Sequence, residues 1–387
     1  MVGALLFIGV VVLVFFGMQS YLASWVVRFF PRLPVDPLAL RVAAAFIAVS
    51  FPLTLYWLRR GGLGAWLFAY VIYLWLGISF IWLACALAGD CAALAARLAG
   101  AGGSVRVVIA WGVLAATACL CLYSFWTAAR PPRVRRLEVE MPRLPEKLDG
   151  FSIVQLSDVH LGVTARLSHF QEIVRQVNAL EPDLVVMTGD FLDPGYRDDA
   201  AAAELGKALR AKDGKLAVLG NHEFYHGLEA SADFFRAVGA RLLRNEIVEL
   251  PGGLQVAGVD DIRTTRLTRQ DLLGLLSKLD PKKPSILLSH QPLLLDAAAE
   301  RGVGLMLSGH THRGQIFPFE FFVRMFYRHV YGLYRQGETS LYVTSGAGHW
   351  GPPMRLFAPP EIVHITLRSA GRRRQAAAEA PGAGRAG

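Results

Sequence analysis

Eight side chains able to bind a metal or move a proton fall in five short clusters: Asp158 and His160, Asp190, Asn221 and His222, His290, then His310 and His312 in "SGHTHRGQ". Two carboxylates, a carboxamide and several imidazoles make the mixed oxygen and nitrogen set that suits Mn, Fe, Zn or a similar divalent ion. Seen alone, each has an ordinary structural role. Asp158 can cap a turn, Asn221 can hold a left-handed position and His290 can fill a core. Together they are too many for one ion. Seven ligands suit a pair of ions about 3.5–4 Å apart, an arrangement that clamps the attacking and leaving oxygens of a phosphoryl displacement.

The elements that must position these residues are readable from the apolar runs before them. "SIVQL", "DLVVM", "KLAVL", "SILLS" and "VGLML" each lead directly into one cluster, and "LQVAG", "LYVTS" and "EIVHITL" are further strands. Helical periodicity in "SHFQEIVRQVNAL" and "TRQDLLGLLSKL" gives an α/β domain. Ligands in such sheets bind beyond the carboxyl ends of the strands, so the five clusters should meet on one rim.

The order "LSDVH", "TGD", "GNHE", "LLSH", "SGHTH" resembles the five motifs of the calcineurin-like metallophosphoesterase superfamily, over roughly residues 150 to 367. "YGLYRQG" and "PPEI" further resemble its bacterial, membrane-associated phosphodiesterase branch. The resemblance implies a four-layer αββα sandwich. It places Asp158, His160 and His312 on one metal and Asn221, His290 and His310 on the other, with Asp190 bridging. His222 resembles the family's general acid, and Glu223 either orients it or is a surface carboxylate. Two cations lower the pKa of a shared water and neutralise phosphoryl charge, and an imidazole with a pKa near ambient pH protonates a poor leaving group.

Departures from relatives refine this reading. Purple acid phosphatases carry an iron-binding tyrosine three residues after the bridging aspartate, where this chain has Asp193, so Mn2+ is favoured; Zn2+, Fe2+ and Mg2+ fit the same donors. Arg313 stands where the branch often has glycine, and either grips a phosphate or is a solvated arginine. Asp260, Asp261 and His349 either line the substrate cleft or serve ordinary loop roles.

The 387-residue chain is 53% hydrophobic, and the excess lies at the N-terminus. Uncharged stretches imply four transmembrane helices, at roughly 2–27, 42–58, 63–88 and 107–129, in a region ending near residue 130. A cleaved signal peptide fits poorly, because the first stretch is too long, lacks a basic start and is followed by three like it. A basic linker and domain entry are expected at 131–149, the phosphoesterase domain at 150–368 and a disordered Ala/Gly/Arg-rich tail at 369–387. The spans hold no ionisable interior residue, which argues against a transporter. Cys85, Cys91, Cys119 and Cys121 lie within or beside the spans, leaving no thiolate for the polar domain.

A net charge of +9 is explained by lipid headgroups, and no nucleic-acid partner is expected. Arginines at 59, 60, 130, 133, 135 and 136, against those at 28, 32, 41, 97 and 106, place the domain on the cytoplasmic side of a bacterial inner membrane. Aromatic and basic residues interleave over 317–337, which fits membrane contact, an acyl-chain groove or a packed lid. The expected function is a membrane-anchored di-metal phosphodiesterase or pyrophosphatase, acting through a metal-bridging hydroxide on a lipid-linked substrate of the kind of UDP-2,3-diacylglucosamine. The competing readings are a metal-binding scaffold without turnover and a phosphomonoesterase of soluble substrates.

Overall fold

The computed structural model describes residues 2–30, 34 and 36–369, so the expected tail lies outside the described residues beyond Ser369. Four helices come first: α1 (Val2–Phe29), α2 (Pro37–Arg60), α3 (Leu63–Leu98) and α4 (Ser104–Ala129). Each is long and apolar enough to cross a membrane. All four exceed their expected lengths, α2 and α3 by the most. The α2 helix starts five residues early because Pro37 occupies its first turn and the Asp36 carboxylate accepts from the Leu38 N–H at 3.0 Å. The α3 helix runs past Gly89 because Asp90 is not an isolated charge: it accepts from Tyr21 Oη at 2.8 Å and from Arg28 Nη2 at 2.9 Å.

The strands are β1 (Arg133–Met141), β2 (Ser152–Leu156), β3 (Leu184–Thr188), β4 (Lys215–Val218), β5 (Arg241–Leu242) and β6 (Glu246–Glu249), then β7 (Gln255–Gly258), β8 (Ser285–Leu288), β9 (Leu305–Ser308), β10 (Gly332–Gln336), β11 (Thr339–Val343) and β12 (Glu361–Ser369). They form two six-stranded mixed sheets, in the orders β1-β12-β2-β3-β4-β5 and β10-β11-β9-β8-β7-β6. Within the stretch expected as basic linker and domain entry, 131–149, part of the chain is a strand. Arg133–Met141 is an edge strand paired in parallel with β12, from Arg133 opposite Glu361 to Met141 opposite Ser369. Its second half buries Val139 and Met141 while the arginines of its first half are exposed, so charge hid a strand pattern.

Ile153, Val186, Val218 and Ile365 of one sheet pack against Val256, Ile286, Leu288 and Leu307 of the other. The outer face of the first sheet is covered by α5 (Leu167–Asn178), α6 (Asp199–Lys207) and, after the short α7 (Asn221–His226), α8 (Leu228–Val238), through Phe170, Ile173, Ala202, Phe235 and Val238. The second is covered, after the one-turn α9 (Ile262–Thr265), by α10 (Arg269–Leu276) and α11 (Leu295–Glu300), through Leu272, Leu273, Leu295 and Ala298. This is the αββα sandwich, and the hydrophobic periods write it. In α5, Phe170, Ile173, Val174 and Val177 share one buried stripe. Strands β3, β8 and β9 are buried along their whole length, as runs enclosed between layers must be.

The carboxyl ends of β2, β3, β4, β8 and β9 form the rim toward the helices. Val163, just beyond β2, packs with Leu58, Ala69 and Tyr73, while Ile316, Met354 and Leu356 pack with Ile81 and Cys121. The Arg355 N–H donates to the Ser124 carbonyl at 3.0 Å.

Candidate metal centre

Three of the five strand-end clusters turn through left-handed backbone at their donor residues. Asp158, His160, Asp190, His310 and His312 have φ of 55°, 52°, 58°, 69° and 48°, the left-handed region that non-glycine residues rarely occupy. Such conformations cost energy and collect at functional sites, held by what surrounds them. Close approach of the loops demands small residues between them. A Cβ on Gly309 would collide with Ser157 Oγ and Asp158 Oδ2, and one on Gly220 with Asp190 Oδ1.

The turns bring the donors together in two groups, Asp158 with His160 and His312, and Asp190 with His290 and His310. In the first, His160 Nε2 is 3.0 Å from His312 Nε2, and Asp158 Oδ1 is 3.3 Å from His312 Nε2. In the second, His290 Nε2 is 3.2 Å from His310 Nδ1 and 3.1 Å from Asp190 Oδ2. Asp190 Oδ2 also lies 3.7 Å from His160 Nε2, so one carboxylate oxygen faces both groups. Bonds of about 2.1 Å to an ion put neighbouring donors roughly 3 Å apart, and these separations match that spacing. Asn221 Oδ1 is shielded from solvent and accepts no hydrogen bond from any described residue, an oxygen left open for a cation.

Outer contacts fix most of the rings. His160 Nδ1 donates to Asp193 Oδ1 at 2.7 Å, and His290 Nδ1 donates to the Thr188 carbonyl at 2.7 Å, leaving each Nε2 lone pair for the centre. His310 Nε2 meets Tyr327 Oη at 2.7 Å; Tyr327 donates to Gln291 Oε1 at 2.9 Å, and Gln291 Nε2 donates to Asp261 Oδ2 at 2.8 Å. His312 differs. Its Nδ1 faces Arg355 Nη2 at 3.1 Å, so a guanidinium rather than a carbonyl or carboxylate backs this ring. Arg355 is fully buried, its other bonds going to the carbonyls of Gly348, His312, Ser345 and Ala358.

Burial and crowding set the charges. Burial, reinforced by the neighbouring His290, pushes His310 down to about 3, and burial pushes His312 down to about 4, so both are neutral as ligands must be. Burial opposes a charge on His290 and His222, but nearby carboxylates win. Asp190 and Asp158 hold His290 well above its ordinary value, so an ion binding there would displace its proton, while Asp190 and Asp193 lift His222 to about 9.

His222 sits at the edge of the centre, its N–H donating to Asp190 Oδ1 at 2.9 Å and its Nδ1 2.7 Å from Asp193 Oδ1. Asp193 thus joins His160 to His222, a contact the sequence marks only by its place three residues after Asp190. Both readings of Glu223 are corrected. It is fully buried and accepts from the N–H groups of Asp190, Phe191 and Gly220 at 2.7–2.8 Å, so it braces the turn that carries Asp190. Asp260 pairs with Arg244 at 2.8 Å, and Asp261 caps the turn at Ile262–Thr265. His349 is buried, with Nε2 unpartnered among the described residues.

Arg313 is not simply solvated: it lies 4.7 Å over the Tyr331 ring and 3.7 Å from Glu320 Oε2. An open cavity of about 330 Å³ adjoins the second donor group, lined by Asn221, Tyr225, Arg263, Gln291, His310 and Tyr327. Arg355, Tyr327, Gln291 and Arg263 carried no motif signal, because their roles arise from packing between distant segments.

Comparison with known proteins agrees with this geometry. The profile of the calcineurin-like phosphoesterase family matches residues 151–314. An uncharacterised metallophosphoesterase of Campylobacter jejuni is 37% identical over 271 residues, covering 68% of this chain and 71% of that protein. A transmembrane protein with metallophosphoesterase domain from Danio rerio is 35% identical, covering 71% of this chain and 66% of its own. An uncharacterised metallophosphoesterase of Bacillus subtilis is 37% identical, covering 58% of this chain and 82% of its own. With the motif order, the αββα sandwich and the clustered donors, these relatives place the chain in the calcineurin-like phosphoesterase family, as a metal-dependent hydrolase of phosphoesters.

Proposed function

We propose that this chain is a membrane-anchored two-metal phosphohydrolase that cleaves a phosphodiester or pyrophosphate bond. The observation that carries the reading is Asp190 Oδ2, placed 3.1 Å from His290 Nε2 and 3.7 Å from His160 Nε2, within reach of both donor groups. Asp158, His160 and His312 would hold one ion and Asn221, His290 and His310 the other, with Asp190 shared and Mn2+ the favoured metal. Bound there, the ions would neutralise charge on the phosphoryl oxygens and activate a water.

The chain's own residues do the rest. His222, kept protonated by Asp190 and Asp193, donates a proton to the leaving oxygen. Glu223 and Arg355 hold the turns in place, and Arg263 in the cavity offers a cation to a further anionic group of the substrate.

The substrate class proposed is lipid-linked, of the nucleotide-lipid kind that UDP-2,3-diacylglucosamine exemplifies, because the rim packs on the apolar helices. The domain is proposed to face the cytoplasm, which a compartment-sensitive reporter after Gly387 tests. Purified protein with Mn2+ should hydrolyse bis(p-nitrophenyl) phosphate; Asp190→Ala should abolish that turnover, and His222→Ala should lower it, more steeply for substrates with a poorer leaving group. No bound metal, and no turnover with any metal, would favour the scaffold reading.

A further inference from the structure

We propose that residues 317–326, which include α12 (Glu320–Phe326), are embedded in the acyl-chain layer of the leaflet beside the catalytic domain. The partner is the lipid itself. No residue of α12 is buried, and Phe321, Phe322, Met325 and Phe326 are 62%, 52%, 75% and 65% exposed. So contiguous an apolar surface in water would be costly, and it marks an interaction face.

Its position relative to the helices identifies the occupant. Far from the domain, Arg28 of α1 pairs with Asp90 of α3 at 2.9 Å, a polar level that marks one membrane interface. Counted back from Asp90 at a rise of 1.5 Å per residue, a hydrocarbon core of ~30 Å takes in about 20 residues of α3. Phe80 stands roughly 15 Å from Asp90 on that scale, near the middle of the band.

The Phe319 ring lies 5.8 Å from the Phe80 ring, and the Phe357 ring 6.0 Å from that of Tyr123 in α4. Ile316 and Leu356 belong to the same apolar cluster as Ile81. The segment is therefore continuous with the spanning helices and level with their apolar stretch. Its charges fit such a place: Glu320 pairs with Arg324, and Arg324 and Arg328 have stems long enough to reach headgroups.

The same segment walls the cavity. Tyr327 ends α12 and lines it, and Arg263 Nη2 reaches the Phe326 carbonyl at 3.4 Å while lying 4.7 Å over the Tyr327 ring. Embedding would open the cavity toward lipid, which bears on turnover only under the hydrolase reading; the embedding itself does not depend on that reading.

The test uses the unaltered full chain in phospholipid vesicles containing a phospholipid with a diazirine in its acyl chain. After illumination, trypsin releases the segment as two peptides, 314–324 and 325–328. Both are expected to carry lipid adducts at yields comparable to peptides from α1–α4, while peptide 270–278, from the far helical layer, stays at background. Adducts confined to α1–α4 would overturn the proposal, including the case in which a second copy of the chain shields the segment.

Discussion

The two halves of the candidate metal centre are built from similar donors but differ in what surrounds them. Asp158, His160 and His312 are buried, backed by Asp193 on one side and the Arg355 guanidinium on the other. The half built on His290 and His310 has two donors, Asn221 and His310, on the wall of an open cavity. One half is positioned by protein on every side, and the other is left free to meet a substrate. A closed half sets geometry and an open half admits chemistry, the division expected where a pair of ions shares one carboxylate.

That contrast can be broken in stages. Asp190→Asn leaves a neutral amide in place of the shared carboxylate, so both halves should fail together, with kcat lowered beyond the ~10–100-fold typical of an outer partner. Metal content measured on the same sample should fall with it. His222→Gln should leave metal content intact and lower kcat by about 10²–10⁴-fold with a poor leaving group, less with p-nitrophenol.

Because the acid must be protonated to act, wild-type activity should fall as pH rises through about 9, the level to which Asp190 and Asp193 lift His222 against burial. Asp193→Asn removes one of those carboxylates and should move this alkaline limb to lower pH. Tyr327→Phe, on the open half, should cost no more than ~10–100-fold and leave the limb in place. Arg263→Ala should be mildest, raising KM for substrates with a second anionic group by roughly 10-fold at unchanged kcat. Equal effects of Asp193→Asn and Tyr327→Phe on the pH profile would erase the distinction between the halves.

Much of this was legible in the sequence because it rests on local patterns. The stripe of Phe170, Ile173, Val174 and Val177 declares α5, and Thr268 with Asp271 forms the capping box that starts α10. The eight motif residues announce the site through their place after strand-like runs. What stayed hidden is non-local or masked by charge. Strand β1 reads as a basic linker until β12 pairs with it. Glu223 reads as surface because nothing in "GNHE" shows that four backbone N–H groups from two loops converge on it. Arg355 lies forty-three residues after the histidine it touches, and its burial follows from four carbonyls that only the folded chain assembles.

The central claim is a pair of ions sharing Asp190. It is tested most directly by electron paramagnetic resonance of the purified full chain loaded with Mn2+, with metal counted per chain. Two equivalents giving the spectrum of a spin-coupled pair, replaced by an uncoupled signal in Asp190→Asn, is the expected result. A single equivalent with an uncoupled spectrum in the unaltered chain would contradict the two-metal account.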